Sequence, residues 1–238
     1  MKSIVPIIWL ILNLLCALLS TLSIIFSFIS KQTSTMAQTF SLSVSIILHF
    51  MISFYGLRIT SNIGPSFIRR LLLNFSFHFA TTSLLFLIVN IRPFFWILIL
   101  LLHSFYQVLN YMTIHIIPHY HWQNQFSNLI TSLYRSMSGL YKFNLYISLF
   151  EIATLFQFHL FHQTFVESFT STVYFIWYLL YRYSTNKAHK IIFNYIHLHL
   201  VSISRVFPNF ISVFILKFCD IMSDLGQITS LSLWIFLT

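Results

Sequence analysis

The first long stretch of the chain is an apolar run that carries no charged side chain between Ile4 and Ile29. A helix needs about 20 apolar residues to cross a hydrocarbon core of roughly 30 Å, so this run is long enough to span a bilayer. It is also longer than the apolar core of a signal peptide, and it lacks a small-residue cleavage pattern. We therefore expect a retained signal anchor that crosses the membrane as a helix.

The composition of the whole chain agrees with this expectation. Its 238 residues are 58% hydrophobic and 7% charged, whereas a soluble domain needs polar and charged groups over much of its surface. Four acids stand against thirteen Lys and Arg residues, and the resulting net charge of +9 suits contact with anionic lipid head groups. Because the cations are scattered and do not form one patch with exposed aromatic residues, nucleic acid is not an expected partner.

Further apolar helices follow along the chain, and Pro93 separates two of them so closely that a tight helical hairpin is expected. The predicted fold class is all-α, a polytopic integral membrane protein with a helical hairpin and interfacial amphipathic helices. Residues 1–238 are expected to form a single membrane domain. The predicted apolar helices lie near residues 4–29, 39–57, 71–90, 94–117, 143–161 and 166–183.

The charge distribution bears on the topology of these helices. If the pair between Leu71 and Ile117 makes a single net crossing, most cations fall on one side of the membrane together with the C-terminal region. The positive-inside rule favours this arrangement and makes that side cytoplasmic. Arg92, between the paired helices, would then lie near or within the membrane.

The pattern changes to an amphipathic one after the last apolar helix. Arg182 and Tyr183 end that helix with side chains typical of a water boundary. Beyond them, polar residues recur three to four positions apart on one helical face, opposite an apolar face. The polar face includes Lys187, Lys190 and Arg205, and the apolar face includes Ile192, Ile196 and Ile203. We predict an interfacial helix near 187–207 that contacts the membrane surface or a partner, with anionic lipids as the ligands of its cations.

Two groups of side chains could carry chemistry. His115, His119 and His121 are spaced so that a helix end could present several imidazoles to a metal, although the chain has no His-His pair. Histidine is also common at membrane boundaries, and we expect neither a metal nor another cofactor. Glu151 lies within an apolar helix, where an acid is costly and usually has a partner, so we expect a structural intramembrane acid; a proton or ion relay is the alternative.

The sequence also lacks the usual signatures of catalysis. No paired acid and base, nucleophile elbow, phosphate-binding loop or nucleotide fingerprint is present. We therefore predict no catalytic residues and no enzymatic activity.

Several segments resemble the transmembrane protein 33 family of animals and its yeast pore-membrane relatives. The similarity lies in residues 147–156 (ISLFEIATLF), which place an acid within an apolar helix, and in residues 181–198 (YRYSTNKAHKIIFNYIHL), which contain Arg-Tyr-Ser and a following Asn. Residues 77–111 are similar to the family's helix pair, with His78, Asn90, Pro93 and His103 in corresponding places.

This resemblance implies a non-enzymatic protein of the endoplasmic reticulum membrane and nuclear envelope. It implies that the protein helps to shape or organise tubular membrane and nuclear pore regions, with reticulon-type membrane proteins and nuclear pore components as partners. Tight hairpins and interfacial helices are compatible with that role, because they displace head-group area asymmetrically. The alternatives are a multispan receptor or transporter and, third, a His-dependent membrane lipid enzyme.

Overall fold

The computed structural model describes residues 5–60, 65–72, 74–120, 124–138, 140–161 and 164–204, and the single positions 213, 216, 217, 220 and 224. Within these residues the chain is helical and contains no β-strand, which confirms the all-α prediction. The chain divides into two compact units, which are Met1–Ser171 and Thr172–Thr238. The predicted single membrane domain stays a prediction, since two compact units can belong to one such domain.

The first two helices of the first unit form an antiparallel pair. Helix α1 is Val5–Ser27 and helix α2 is Lys31–Thr60, joined by a turn over residues 28–30. Ser23 of α1 meets Ser34 of α2 close to the turn, and Ser20 meets Ser41 farther from it. This succession of contacts shows that the two helices run in opposite directions.

Two further helices pack against this pair. After the short helix α3 (Pro65–Leu72), helix α4 (Phe75–Ile88) packs on α2, and helix α5 (Phe94–Tyr111) packs on α1. The Trp96 ring of α5 contacts Phe79 and Phe86 of α4, with ring centroids 4.7 and 5.4 Å apart. Whether α4 and α5 form a hairpin within a membrane stays a prediction.

Helix α5 continues past its regular part and supports two more helices. A π-helical turn, Met112–Ile116, leads into the short α6 (Ile117–His119), and α7 (Gln125–Ser138) and α8 (Leu140–Phe161) follow. The Tyr106 ring of α5 stacks on Tyr134 of α7 and on Phe143 of α8. These aromatic contacts hold α7 and α8 against α5.

Three helices in the described part of the chain are long and apolar enough to cross a membrane, judged by length and composition. They cover Val5–Ser27, Lys31–Tyr55 and Phe94–His119. The first and third agree closely with the predicted helices 4–29 and 94–117. The second begins at Lys31, well before the predicted 39–57, because the polar residues that precede Thr39 are also helical.

The other predicted apolar helices match the structure to different degrees. The predicted helix 71–90 is wrong as one helix, because Asn74 ends the connection from α3 and caps α4: its Oδ1 accepts from the backbone N–H of Ser76 and Phe77. The predicted 143–161 corresponds to α8, which is long but contains too many polar residues to be one of the three candidate spans. The predicted 166–183 corresponds to an unbroken helical stretch, in which α9 (Phe165–Tyr174) continues through a π-helical turn (Phe175–Leu179) into α10 (Leu180–Thr185).

Side-chain caps explain where the helices near the end of the described chain begin. Thr164 and Glu167 form a reciprocal capping box at α9, in which Thr164 donates from its backbone N–H and its hydroxyl to Glu167 Oε2, and Glu167 N–H donates to Thr164 Oγ1. In the second unit, Asn186 Oδ1 accepts from Ala188 N–H at the start of α11 (Lys187–Ser204). The predicted interfacial helix 187–207 therefore begins as expected, and residues 205–207 lie outside the described residues.

Candidate functional site

Helix α1 has its polar side chains inside and its apolar side chains outside. The four buried residues of α1 are Asn13, Cys16, Ser20 and Ser23. Large apolar side chains on its other faces are exposed, including Ile7 (56%), Ile11 (55%) and Leu18 (58%). This is the reverse of a helix on the surface of a soluble protein, which turns its apolar stripe inward. The outer face of α1 therefore suits an apolar solvent.

The polar side of α1 meets a matching polar face of α2, and we call the five residues Cys16, Ser20, Ser23, Ser34 and Ser41 the small-residue seam. The Ser20 and Ser41 hydroxyl oxygens lie 2.6 Å apart, and the Ser34 hydroxyl donates to the carbonyl oxygen of Ser23 at 3.0 Å. Small side chains let two helices approach closely, and their hydroxyls bond across the interface. In lipid, apolar side chains gain nothing by leaving the solvent, so helices associate through close packing and hydrogen bonds of this kind.

A buried group of aromatic and imidazole rings lies where α2, α4 and α5 meet. The centroid of His49 lies 4.4 Å from that of Phe79 and 5.4 Å from that of His103. Trp96 stacks on Phe79 and donates from Nε1 to the Ser83 hydroxyl at 3.0 Å. His49 is almost fully buried, and its Nδ1 has no hydrogen-bond partner among the described residues. The sequence did not indicate this cluster, because its members come from three separate helices.

The histidines do not gather into a metal centre in the described part of the chain, where no group of three His, Cys, Asp or Glu side chains is placed to hold an ion. His115 lies in the π-helical turn after α5 and His119 ends α6, both exposed, while His121 lies outside the described residues. The imidazoles of His49 and His103 do lie close together. Neither residue belongs to the predicted group of His115, His119 and His121.

A small cleft of about 330 Å³, including its open mouth, lies beside the ring cluster. It is lined by His103, Tyr106, Gln107, Met137, Phe143 and Asn144. The lining offers hydrogen bonds from an imidazole, a phenol and two amides, and it includes no carboxylate. The arrangement can hold a small polar group but has no charged acid to pair with the imidazole.

Glu151 lies in the middle of α8 and is fully buried. Ser148 and Thr154, within one helical turn of it, are also buried, and the Thr154 hydroxyl donates to the Phe150 carbonyl oxygen. This burial is what a structural intramembrane acid requires, but the role itself stays a prediction.

The predicted surface residues of the second unit lie on α10 and α11. Arg182 and Tyr183 are half-buried on α10, and the Tyr183 ring meets Phe193 of α11 edge-on at 5.3 Å. Lys187 and Lys190 are exposed in the first turn of α11, and Arg205 lies outside the described residues. The three cations and the tyrosine that can be placed are therefore not all on one open surface, since Tyr183 helps to pack α10 on α11.

The exposed apolar residues of α11 differ from those that the sequence pattern indicated. Of the predicted apolar face, Ile203 is 48% exposed but Ile192 and Ile196 are half-buried. Outside that face, Ile191, Tyr195 and Leu198 are 37%, 64% and 65% exposed. On a helical projection these three lie directly beside Lys187. The helix thus presents cations and an adjoining apolar strip to the same side, which is the pattern of a helix at a membrane surface.

The turn between α4 and α5 contains a cation that the sequence placed near the membrane without giving it a role. Arg92 is half-buried, and its Nε and Nη2 donate to the Thr39 hydroxyl of α2 at 3.0 and 2.9 Å. Asn90 in the same turn has a positive φ of 60°, a region that Asn tolerates better than most residues.

Comparison of the chain with protein-family models, with curated proteins and with solved structures finds no match.

Proposed function

We propose that this chain is a multi-pass membrane protein, with α1, α2 and α5 as its spanning helices. The observation that carries the proposal is the inverted order of α1, which buries Asn13, Ser20 and Ser23 and exposes a face of Ile and Leu. In water that face would cost about 25 cal/mol for each Å² of exposed apolar area. In lipid it costs nothing, and the buried hydroxyls then supply the contacts between helices.

Within that class we propose a non-enzymatic organiser of the endoplasmic reticulum membrane and nuclear envelope. Support comes from the resemblance of residues 77–111, 147–156 and 181–198 to the transmembrane protein 33 family. The burial of Glu151 is compatible with the acid in the apolar helix of that family. On this proposal, reticulon-type membrane proteins and nuclear pore components are the partners.

The helix lengths suggest how such a protein would act on membrane shape. Helix α4 has 14 residues, and at 1.5 Å per residue it extends roughly 21 Å, less than the hydrocarbon thickness of about 30 Å. A helix that crosses only part of the bilayer fills the two leaflets unequally. A helix that lies on one surface, as proposed for α11, does the same. Unequal occupation favours curved membrane over flat membrane.

Membrane insertion and topology can be tested in microsomes. The full chain should resist extraction by alkaline carbonate, and glycosylation acceptor sites placed in the turn at 28–30 and in the segment after α5 should be modified according to their side. If α2 and α5 are the only crossings between these two regions, both regions lie on the same side of the membrane, whereas a further crossing by α4 would put them on opposite sides. Extraction of the chain by carbonate would refute the membrane assignment.

The cellular role is tested by location and by loss of the protein. The tagged chain should coincide with markers of the tubular endoplasmic reticulum and nuclear envelope, and its removal should change tubule number or pore density. Proximity labelling should enrich reticulon-type proteins over other abundant reticulum membrane proteins. Location at the plasma membrane, or six or seven true crossings, would favour the receptor or transporter instead.

A further inference from the structure

The turn between α4 and α5 holds an arginine in one orientation. Its Nε and Nη2 both donate to the Thr39 hydroxyl, and its Nη1 donates to the backbone oxygen of Asn90 at 2.8 Å and to the Asn90 side-chain oxygen. Two elements, α2 and the turn itself, therefore fix the guanidinium plane. These bonds use one of the two N–H groups of Nη2, and the other, which has no bond to the described residues, can donate to an oxygen of a phosphate.

The hydrogen-bond partners of Arg92 orient its charge but do not neutralise it. Among the described residues these partners are a hydroxyl, an amide oxygen and a backbone oxygen, and no carboxylate bonds to the guanidinium. Apolar side chains that neighbour Thr39 and Arg92 in the chain are exposed: Met36 (57%), Phe40 (58%), Ile88 (73%) and Phe94 (37%). A cation surrounded by lipid-facing side chains needs an anion or water from outside the protein.

The position of the turn along α2 indicates how deep this cation lies. Thr39 is about two helical turns beyond Lys31, roughly 12 Å along the helix axis. The turn at 28–30, with Phe28 and Ile29 exposed, lies at the outer end of the same helix pair. Arg92 therefore lies closer to the middle of the helix bundle than the turn at 28–30, which joins the ends of α1 and α2.

We propose that Arg92 binds the phosphate of an anionic phospholipid, whose acyl chains lie on the exposed apolar side chains around the turn. This inference rests on the proposed membrane function and gives it a local mechanism. A head group drawn to the level of Thr39 thins the leaflet beside α4, the helix that is too short to span a bilayer of ordinary thickness. The charge selects a phosphate, and the apolar surroundings select a lipid over free phosphate.

The test is a titration of the purified full-length chain, in detergent, with phosphatidic acid or phosphatidylcholine, in which native mass spectrometry counts bound lipids. Arg92→Gln should weaken the tightest binding of phosphatidic acid by about tenfold or more, since it removes charge-assisted hydrogen bonds. The matched control is Arg135→Gln, which removes the same charge from an exposed position on α7 and should leave that binding unchanged. Arg92→Lys keeps the charge but loses the oriented guanidinium, so it should bind phosphatidic acid more weakly than the parent chain and more tightly than Arg92→Gln.

Several outcomes would overturn the proposal. Arg92→Gln could bind as tightly as the parent chain, or Arg135→Gln could weaken binding equally, which would show a general effect of net charge. Displacement of the lipid by inorganic phosphate at equal concentration would identify free phosphate as the ligand. If Arg92→Gln fails to fold, loss of binding by a folded Arg92→Lys refutes the charge-based mechanism. Because the titration uses purified protein, a wrong cellular location would refute the proposed function without changing this result.

Discussion

Replacement of Ser20 by Leu tests which side of α1 faces the protein. Ser20 is fully buried, and its hydroxyl oxygen lies 2.6 Å from that of Ser41, which is buried as well. Leu places a branched side chain in this buried contact between α1 and α2. Overfilling a packed interface costs roughly 1–3 kcal/mol, and loss of a hydrogen bond between membrane helices costs about 0.6 kcal/mol. We expect Ser20→Leu to lower the free energy of unfolding by roughly 2–4 kcal/mol.

Two further variants separate the contributions to this loss. Ser20→Ala removes only the hydroxyl and should cost about 0.6 kcal/mol. Leu18→Ala, two positions away on the exposed face, should cost less than about 0.5 kcal/mol, because the Leu18 side chain is exposed and not packed in a helix interface. If Leu18 were in a protein core, the same truncation would cost about 2–5 kcal/mol.

The measurement is reversible unfolding in mixed micelles by increasing the fraction of a denaturing detergent, followed by circular dichroism. The reasoning would be refuted if Leu18→Ala destabilised the protein more than Ser20→Leu. That order would mean that the apolar face of α1 is the packed one, and the membrane assignment would lose its main support.

Three other predictions concern separate parts of the chain. Glu151→Gln should preserve assembly, whereas Glu151→Lys should lower stability by about 3 kcal/mol, which is the cost of a cation within the membrane. Equal loss of the folded fraction on size-exclusion chromatography for both variants would contradict a neutral structural Glu. Trp96→Phe and Ser83→Ala should show a coupling of about 0.6 kcal/mol in a double-mutant cycle of unfolding free energies, because Trp96 Nε1 donates to the Ser83 hydroxyl; additive effects would argue against that bond. A peptide of residues 187–207 should become helical on anionic vesicles. Joint replacement of Lys187, Lys190 and Arg205 by Gln should remove about 1 kcal/mol of binding free energy per cation and flatten the salt dependence, measured by vesicle sedimentation. Equal binding to neutral vesicles would exclude the electrostatic contribution.

The sequence alone determined the helical class and the approximate extent of the longest helices. The run from Ile4 to Ile29 has no charge and only one strongly polar side chain, Asn13, so its length and composition were sufficient to predict α1. Pro93 likewise indicated the start of α5, because proline lacks a backbone N–H and suits the first positions of a helix.

Local caps and helix geometry were less predictable. The apolar residues 71–90 resembled one helix, but the Asn74 side chain competes for the backbone N–H groups of Ser76 and Phe77 and so begins a new helix there. The division of 166–183 by a π-helical turn has no comparable signal in the residues. The cap at Asn74 shortens a helix that average hydropathy had made long, whereas the π-helical turn leaves the extent of its helix unchanged.

Only the tertiary structure decided which polar residues meet. Serines recur along α2 in the sequence, but the pairing of Ser41 with Ser20 depends on the register of two antiparallel helices. The contact of His49 with His103 and the bond from Arg92 to Thr39 likewise join positions far apart in the chain. A sequence pattern reports the faces of one helix at a time, whereas these contacts depend on how neighbouring helices are placed along and around each other.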